Sequence, residues 1–93
     1  MEQQLEFRNY MEDIVQAKMP DVLKTMPDLC LCDRCSLDIL AYALNNSPPK
    51  YVVTQKGKMY AKLSVLKGQF EVDVIRAITD AAIVIGKNPR HDD

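Results

Sequence analysis

Cys30-Leu31-Cys32-Asp33-Arg34-Cys35 runs straight into Ser36-Leu37-Asp38-Ile39-Leu40-Ala41-Tyr42-Ala43-Leu44, and Asn45-Asn46-Ser47-Pro48-Pro49 closes the run. The first stretch predicts a loop carrying three thiols. The second predicts a helix, with Asp33 or Ser36 as its N-cap and Leu37, Leu40, Ala41 and Leu44 as its buried stripe. The third ends that helix, because asparagine tolerates a left-handed helix end and two prolines forbid continuation.

Upstream of this stretch, Phe7, Tyr10, Met11, Ile14, Met19, Val22 and Met26 recur at helical spacing with charged residues between them. Pro20 removes a donor and biases Met19 away from helix, which predicts a kink or a restart there. Met26-Pro27-Asp28 then stops the segment. The methionines Met11, Met19 and Met26 suit a core or an interface.

Downstream, Lys50 to Thr54 is expected to be extended, with Gly57 supplying a turn. Val52-Val53 would make a short strand, but a lone strand finds no partner elsewhere in the chain. Met59, Leu63 and Leu66 predict a short helix, Gly68 a break, and Phe70, Val74, Ile78, Ala81, Ala82 and Ile85 a longer helix ended by Gly86, Asn88 and Pro89. The expectation is an all-α fold of four to five helices in a single domain spanning 1–93.

Ninety-three residues are too few for two hydrophobic cores, and even one core gains from a metal or an oligomer interface. An apolar content of 47% is ample for a globular fold and too high for a disordered one. A net charge of −1 gives no global case for nucleic-acid binding, so an anionic ligand would need a local basic patch. Direct DNA binding is therefore the least supported reading. No apolar run reaches the length of a membrane span, and Met1 to Asp13 lacks a basic stretch followed by an apolar core. The expected location is cytoplasmic, with no membrane contact.

In a reducing compartment, three closely spaced cysteines favour a metal site over a disulfide framework, and the odd count agrees. A structural zinc takes thiolate and imidazole ligands in a closed tetrahedron. Cys30, Cys32 and Cys35 supply three thiols within six residues, and a helix start favours thiolate over thiol. His91 is the only histidine and the candidate fourth ligand. It would tie the C-terminal tail back to the cysteine loop. The alternative is three ordinary reduced cysteines and a solvated tail.

Ser47 to Lys58 carries Lys50, Tyr51, Thr54, Lys56, Gly57 and Lys58 on a chain stiffened by prolines. Lysines meet phosphate, a tyrosine ring offers a face to a base, and Gly57 lets backbone amides approach. A solvated basic loop whose Tyr51 packs on the core explains the composition equally simply, and composition alone favours it. There is no Walker motif and no GxGxxG. Glu12 with Asp13 and Glu71 with Asp73 fit solvated helix faces. With one histidine and no nucleophile motif, an enzyme site is hard to assemble, and a non-enzymatic protein is expected.

The cysteine cluster followed by Asp38-Ile39-Leu40-Ala41, the turn from Leu44-Asn45 to Tyr51-Val52, and the closing Asn88-Pro89-Arg90-His91 resemble the late competence development protein ComFB family over nearly the whole chain. That resemblance implies a small all-helical homodimer with a cysteine-based zinc site. It also implies a receptor for cyclic di-GMP that acts on competence, pili, motility or cell size through a protein partner. Some relatives close the zinc site with a further cysteine near the C-terminus; here His91 would take that place, or the site would be incomplete. Lys50, Lys56 or Lys58 would meet phosphate, with Thr54 beside them, and Tyr51, Arg8 or Arg34 would stack on guanine. A symmetric dimer presents one patch twice, matching a two-fold symmetric ligand. The alternative is a zinc-stabilised dimeric adaptor with no nucleotide ligand.

Overall fold

A computed structural model describes residues 5–65 and 68–89. Leu66, expected in the short helix, and His91, expected at the metal, lie outside the described residues. The element order is β1 (Arg8–Asn9), α1 (Met11–Leu23), α2 (Asp33–Asn45), β2 (Tyr51–Val52), α3 (Gln55–Val65) and α4 (Gly68–Lys87). The expected all-α architecture is correct at four helices, with one addition. Val52 does have a partner: β1 and β2 pair antiparallel, with Arg8 opposite Val52 and Asn9 opposite Tyr51. Phe7 therefore belongs to an extended ribbon ahead of α1 and not to the helical stripe, and it is 78% exposed. The periodicity misled because a residue four places before Met11 falls in phase with the helix whether or not the chain is helical there.

α1 runs through Pro20 without restarting. Proline deletes the bond to the carbonyl of Gln16, and both residues sit on the exposed side, where water can replace the donor. Met19, Val22 and Leu23 flank the proline and are buried, which holds the last turn in place. Glu12 and Asp13 occupy the first turn, where the helix dipole favours negative charge.

α2 starts one residue after Cys32, which is its N-cap in place of Asp33 or Ser36. Its buried face is Cys35, Ile39 and Ala43. The expected stripe was one residue out of phase: Leu37 is 62% exposed, Ala41 is exposed, and Leu40 and Leu44 are half-buried. Leucine outranks alanine and cysteine in hydrophobicity, so the pattern drew attention to the flank of the face.

α4 lies against both α2 and α1. The core is built from Met11, Ile14, Val15, Ile39, Ala43, Val74, Ile78, Ala81 and Ala82 among others, and among the described residues none of it comes from α3. Ala43, Ala81 and Ala82 are fully buried, and such small residues let packed helices approach closely. Lys18 of α1 reaches Glu71 of α4 at 2.8 Å, an ion pair that raises the lysine pKa and lowers that of the carboxylate.

Gly57 is not in a turn but in the first turn of α3, where its amide donates to Thr54 Oγ1 at 3.0 Å. Thr54 is thus the N-cap. A methyl on Gly57 would meet Thr54 Oγ1 at 3.5 Å and Val52 Cβ at 3.9 Å, both ordinary contacts, and no glycine among the described residues has positive φ. Gly57→Ala is therefore expected to raise stability by roughly 0.5–1 kcal/mol in urea unfolding. A loss of stability would place Gly57 outside the helix.

Candidate functional site

Two sites emerge at opposite ends of α2. At its N-terminus, Cys32 has extended backbone (φ −64°, ψ 166°) and its Sγ accepts the amide of Cys35 at 3.4 Å. The sulfur does what a serine or aspartate oxygen does at most helix starts. That geometry turns Cys35 inward to 1% exposure and leaves Cys30 and Cys32 in contact with solvent. All three carry thiols, with their Sγ atoms within 4.8 Å of one another. A tetrahedral zinc with Zn–S bonds near 2.3 Å sets its sulfurs about 3.8 Å apart. The cluster needs only about 1 Å of contraction to hold such an ion.

Burial pushes the Cys35 thiol up to about 12, helped by hydrogen bonds with Cys32 and Cys30 and by their charge. A thiol buried this way resists ionising without a cation, and a cation removes the penalty. Gly86, in the last turn of α4, faces the same loop. A methyl there would stand 3.0 Å from Leu29 Cδ1, next to Cys30. The end of α4 thus reaches the cysteine loop at Gly86, three residues before the described chain stops at Pro89.

At the other end of α2, Ser47-Pro48-Pro49 leads into the ribbon. Bonds from Glu6 N to Val53 O (2.9 Å) and from Tyr10 N to Lys50 O (2.7 Å) extend the β1–β2 pairing. Asn9 fastens it: its Oδ1 accepts from Met11 N at 3.1 Å and from Lys50 N at 2.9 Å, joining the start of α1 to the loop. Phe7 and Tyr51 stack on this ribbon, centroids 5.0 Å apart and planes 6° from parallel. They are 78% and 58% exposed. Tyr51 thus does not pack on the core, as the reading of a solvated basic loop had it.

Arg8, Thr54 and Lys58 line a small pocket with Glu6 on the same ribbon, and Arg8 is paired with Asp13. Lys58 Nζ sits 5.7 Å over the Tyr10 ring, and Lys50 Nζ sits 4.7 Å over the Phe70 ring. Lys56 is exposed on α3. The ribbon therefore gathers Arg8, Lys50, Tyr51, Thr54 and Lys58. Arg34 stands apart in the first turn of α2, with Nε 3.1 Å from both oxygens of Asp38. Eleven residues of helix separate it from the ribbon end, about 17 Å.

Sequence reasoning missed Phe7 as a stacking partner and Asn9 as the tie. Asn9 left a readable signal, since an asparagine just ahead of an acidic first helical turn marks a helix start. Phe7 left none, because its partner lies 44 residues away.

The family model of the late competence development protein ComFB matches residues 8–89, a span that holds every element described above. The competence protein ComFB of Bacillus subtilis (strain 168) is 30% identical over 60 residues, which are 64% of this chain and 61% of that relative. The chain thus matches less than two thirds of that relative's length. A solved structure of the late competence protein ComFB from Bacillus subtilis shares the fold at a TM-score of 0.79 and 23% identity, covering 92% of this chain and 97% of that one. Both relatives are named for competence, and among the described residues no helix is long and apolar enough to cross a membrane. With a match that runs from β1 past the end of α4, the chain belongs to the late competence development protein ComFB family.

Proposed function

We propose that the protein is a non-enzymatic receptor for cyclic di-GMP, a cytoplasmic homodimer pinned by zinc that regulates competence, pili, motility or cell size through a protein partner. The observation that carries this reading is the open Phe7–Tyr51 stack, which lines one cleft with Arg8. Two aromatic rings held parallel in water have unused faces, and a guanine can extend such a stack. Arg8 beside the rings, with Lys58 in the adjoining pocket that Arg8 also lines, suits a phosphate. A two-fold dimer would present this ribbon twice to a ligand that carries two guanines and two phosphates.

Support for the dimer comes from α3. Among the described residues it contributes none to the core, and Met59 and Leu63 are 67% and 58% exposed on it. The radius of gyration, 14.7 Å, exceeds the roughly 12 Å of a compact domain this size, consistent with a helix that stands away from the body. For zinc, the donors are Cys30, Cys32 and Cys35, with His91 as the closing ligand.

Titration calorimetry of zinc-loaded protein with cyclic di-GMP tests the reading directly. Base–aromatic stacking contributes about 1–3 kcal/mol, so Tyr51→Ala and Phe7→Ala are each expected to weaken binding roughly ten- to hundredfold while the domain stays folded. No heat and no competition against labelled ligand removes cyclic di-GMP. Binding that both variants retain removes the stacked pair as its site.

The adaptor without a nucleotide ligand keeps one observation in its favour. Leu31 and Leu37 are 53% and 62% exposed and line a groove between α1 and α2 with Met19, Leu23 and Leu40. A pull-down that recovers the same partner with and without nucleotide favours this second reading.

A further inference from the structure

We infer that Cys32 and Cys35 form a peroxide-oxidisable dithiol whose closure to a disulfide dismantles the metal site. The pair is set apart from Cys30 by backbone geometry. Cys32 is the N-cap of α2 and Cys35 lies three residues on, in the first turn, bonded to Cys32 Sγ through its own amide. Helical geometry puts α-carbons three residues apart at about 5 Å, inside the disulfide range of roughly 4.4–6.8 Å. Cys30 precedes Cys32 by two residues of non-helical chain, where α-carbons stand on the order of 6–7 Å apart. The Sγ atoms of all three are within 4.8 Å, so closing the bond needs side-chain rotation more than backbone movement.

Access is just as asymmetric. Cys32 is exposed, and a hydroperoxide can reach it; Cys35 is 1% exposed on the buried face of α2, with its sulfur close to those of Cys32 and Cys30. The chemistry divides between them accordingly. Cys32 sulfur attacks the peroxide O–O bond, an S–O bond forms, and the other oxygen leaves as water with the thiol proton. Cys35 sulfur then attacks the sulfenic sulfur of Cys32. The S–S bond forms, the S–O bond breaks, and the hydroxyl departs as a second water with the Cys35 proton. Two thiols are oxidised by two electrons and the peroxide is reduced by two.

The consequence for the metal follows from ligand count. A disulfide donates no thiolate, so two of the three protein sulfurs are withdrawn at once and Cys30 cannot hold zinc unaided. That consequence rests on the proposed zinc site; the disulfide itself does not.

The test treats zinc-loaded protein with hydrogen peroxide and reads zinc release with a chromogenic dye and linkage by peptide mapping. The expected result is loss of two hydrogens, a Cys32–Cys35 link and zinc release in step. Cys30→Ser is expected to keep the disulfide. Cys35→Ser cannot close it and is expected to accumulate a Cys32 sulfenic acid trapped by a dimedone probe. The same mapping on metal-free protein separates the two readings, since a Cys32–Cys35 link there upholds the dithiol even if zinc never binds. A disulfide that maps to Cys30, or thiols left intact in both forms, overturns the inference.

Discussion

Ile78→Ala is expected to lower unfolding free energy by about 2–5 kcal/mol, the cost of deleting three buried carbons and leaving a cavity. Ile78 is 0% exposed in the middle of α4, the helix that packs on both α1 and α2. Removing it loosens the one element on which the other two rest. A chain of this length has roughly 5–14 kcal/mol in total, so the variant loses a large share of its stability. In thermal melts at fixed protein concentration that is a fall of roughly 8–40 °C, at about 4–8 °C per kcal/mol.

Leu37→Ala is the control. Leu37 is 62% exposed and removes no core atoms, so the change is expected to stay within about 0.5 kcal/mol. If the two substitutions cost the same, the face assigned to α2 is wrong, and with it the arrangement of α2 against α4.

That contrast also shows how far the sequence could be read. The helices were legible because their boundaries have local chemistry. Pro48-Pro49 stops α2, Gly68 opens α4, and Val74, Ile78, Ala81 and Ala82 mark the face of α4 correctly. Errors came where two local signals competed. In α2 three leucines outweighed Cys35, Ile39 and Ala43, yet these three form the face that the helix turns inward, because packing rewards fit over hydrophobicity alone. At Gly57, glycine's preference for turns hid the cap supplied by Thr54.

The candidate sites divide along the same line. The cysteine cluster was legible because all its members lie within six residues, and the structure brings their sulfurs together. The ribbon was legible only on its downstream strand, where Lys50, Tyr51, Thr54 and Lys58 follow one another. Its upstream half, Phe7 to Asn9, joins through pairing across more than 40 residues, which no local pattern encodes. Arg34 was grouped with the ribbon by residue type alone, and the structure seats it beside the cysteines.

Stripping zinc is expected to produce the second large effect. An ion that binds only the folded chain stabilises it by about 2.7 kcal/mol at a free concentration a hundredfold above Kd, and by about 4.1 at a thousandfold. Chelation should therefore lower the melting temperature by roughly 10–30 °C. It should not unfold the domain at room temperature, as it unfolds a zinc finger, because the core from Met11 to Ala82 packs three helices without the metal.

Cys35→Ser is expected to abolish zinc binding and to lose the chelator's effect. His91→Ala should lower zinc content if His91 is the closing ligand; unchanged content and melting would remove it from the site. The pH dependence has a definite sign. Zinc must displace protons from the thiols, and without a cation Cys35 holds its proton up to about 12. Affinity therefore rises with pH and falls as pH is lowered, by up to about tenfold per unit for each proton displaced. The metal-free protein runs the other way: a thiol whose folded pKa is raised loses its stabilising contribution as pH climbs from its ordinary 9.0 towards 12. Zinc-loaded and metal-free melts should therefore diverge as pH rises through that window. Melts that stay parallel would mean that Cys30, Cys32 and Cys35 hold no metal, and that Cys35 serves only to fill the space beneath the first turn of α2.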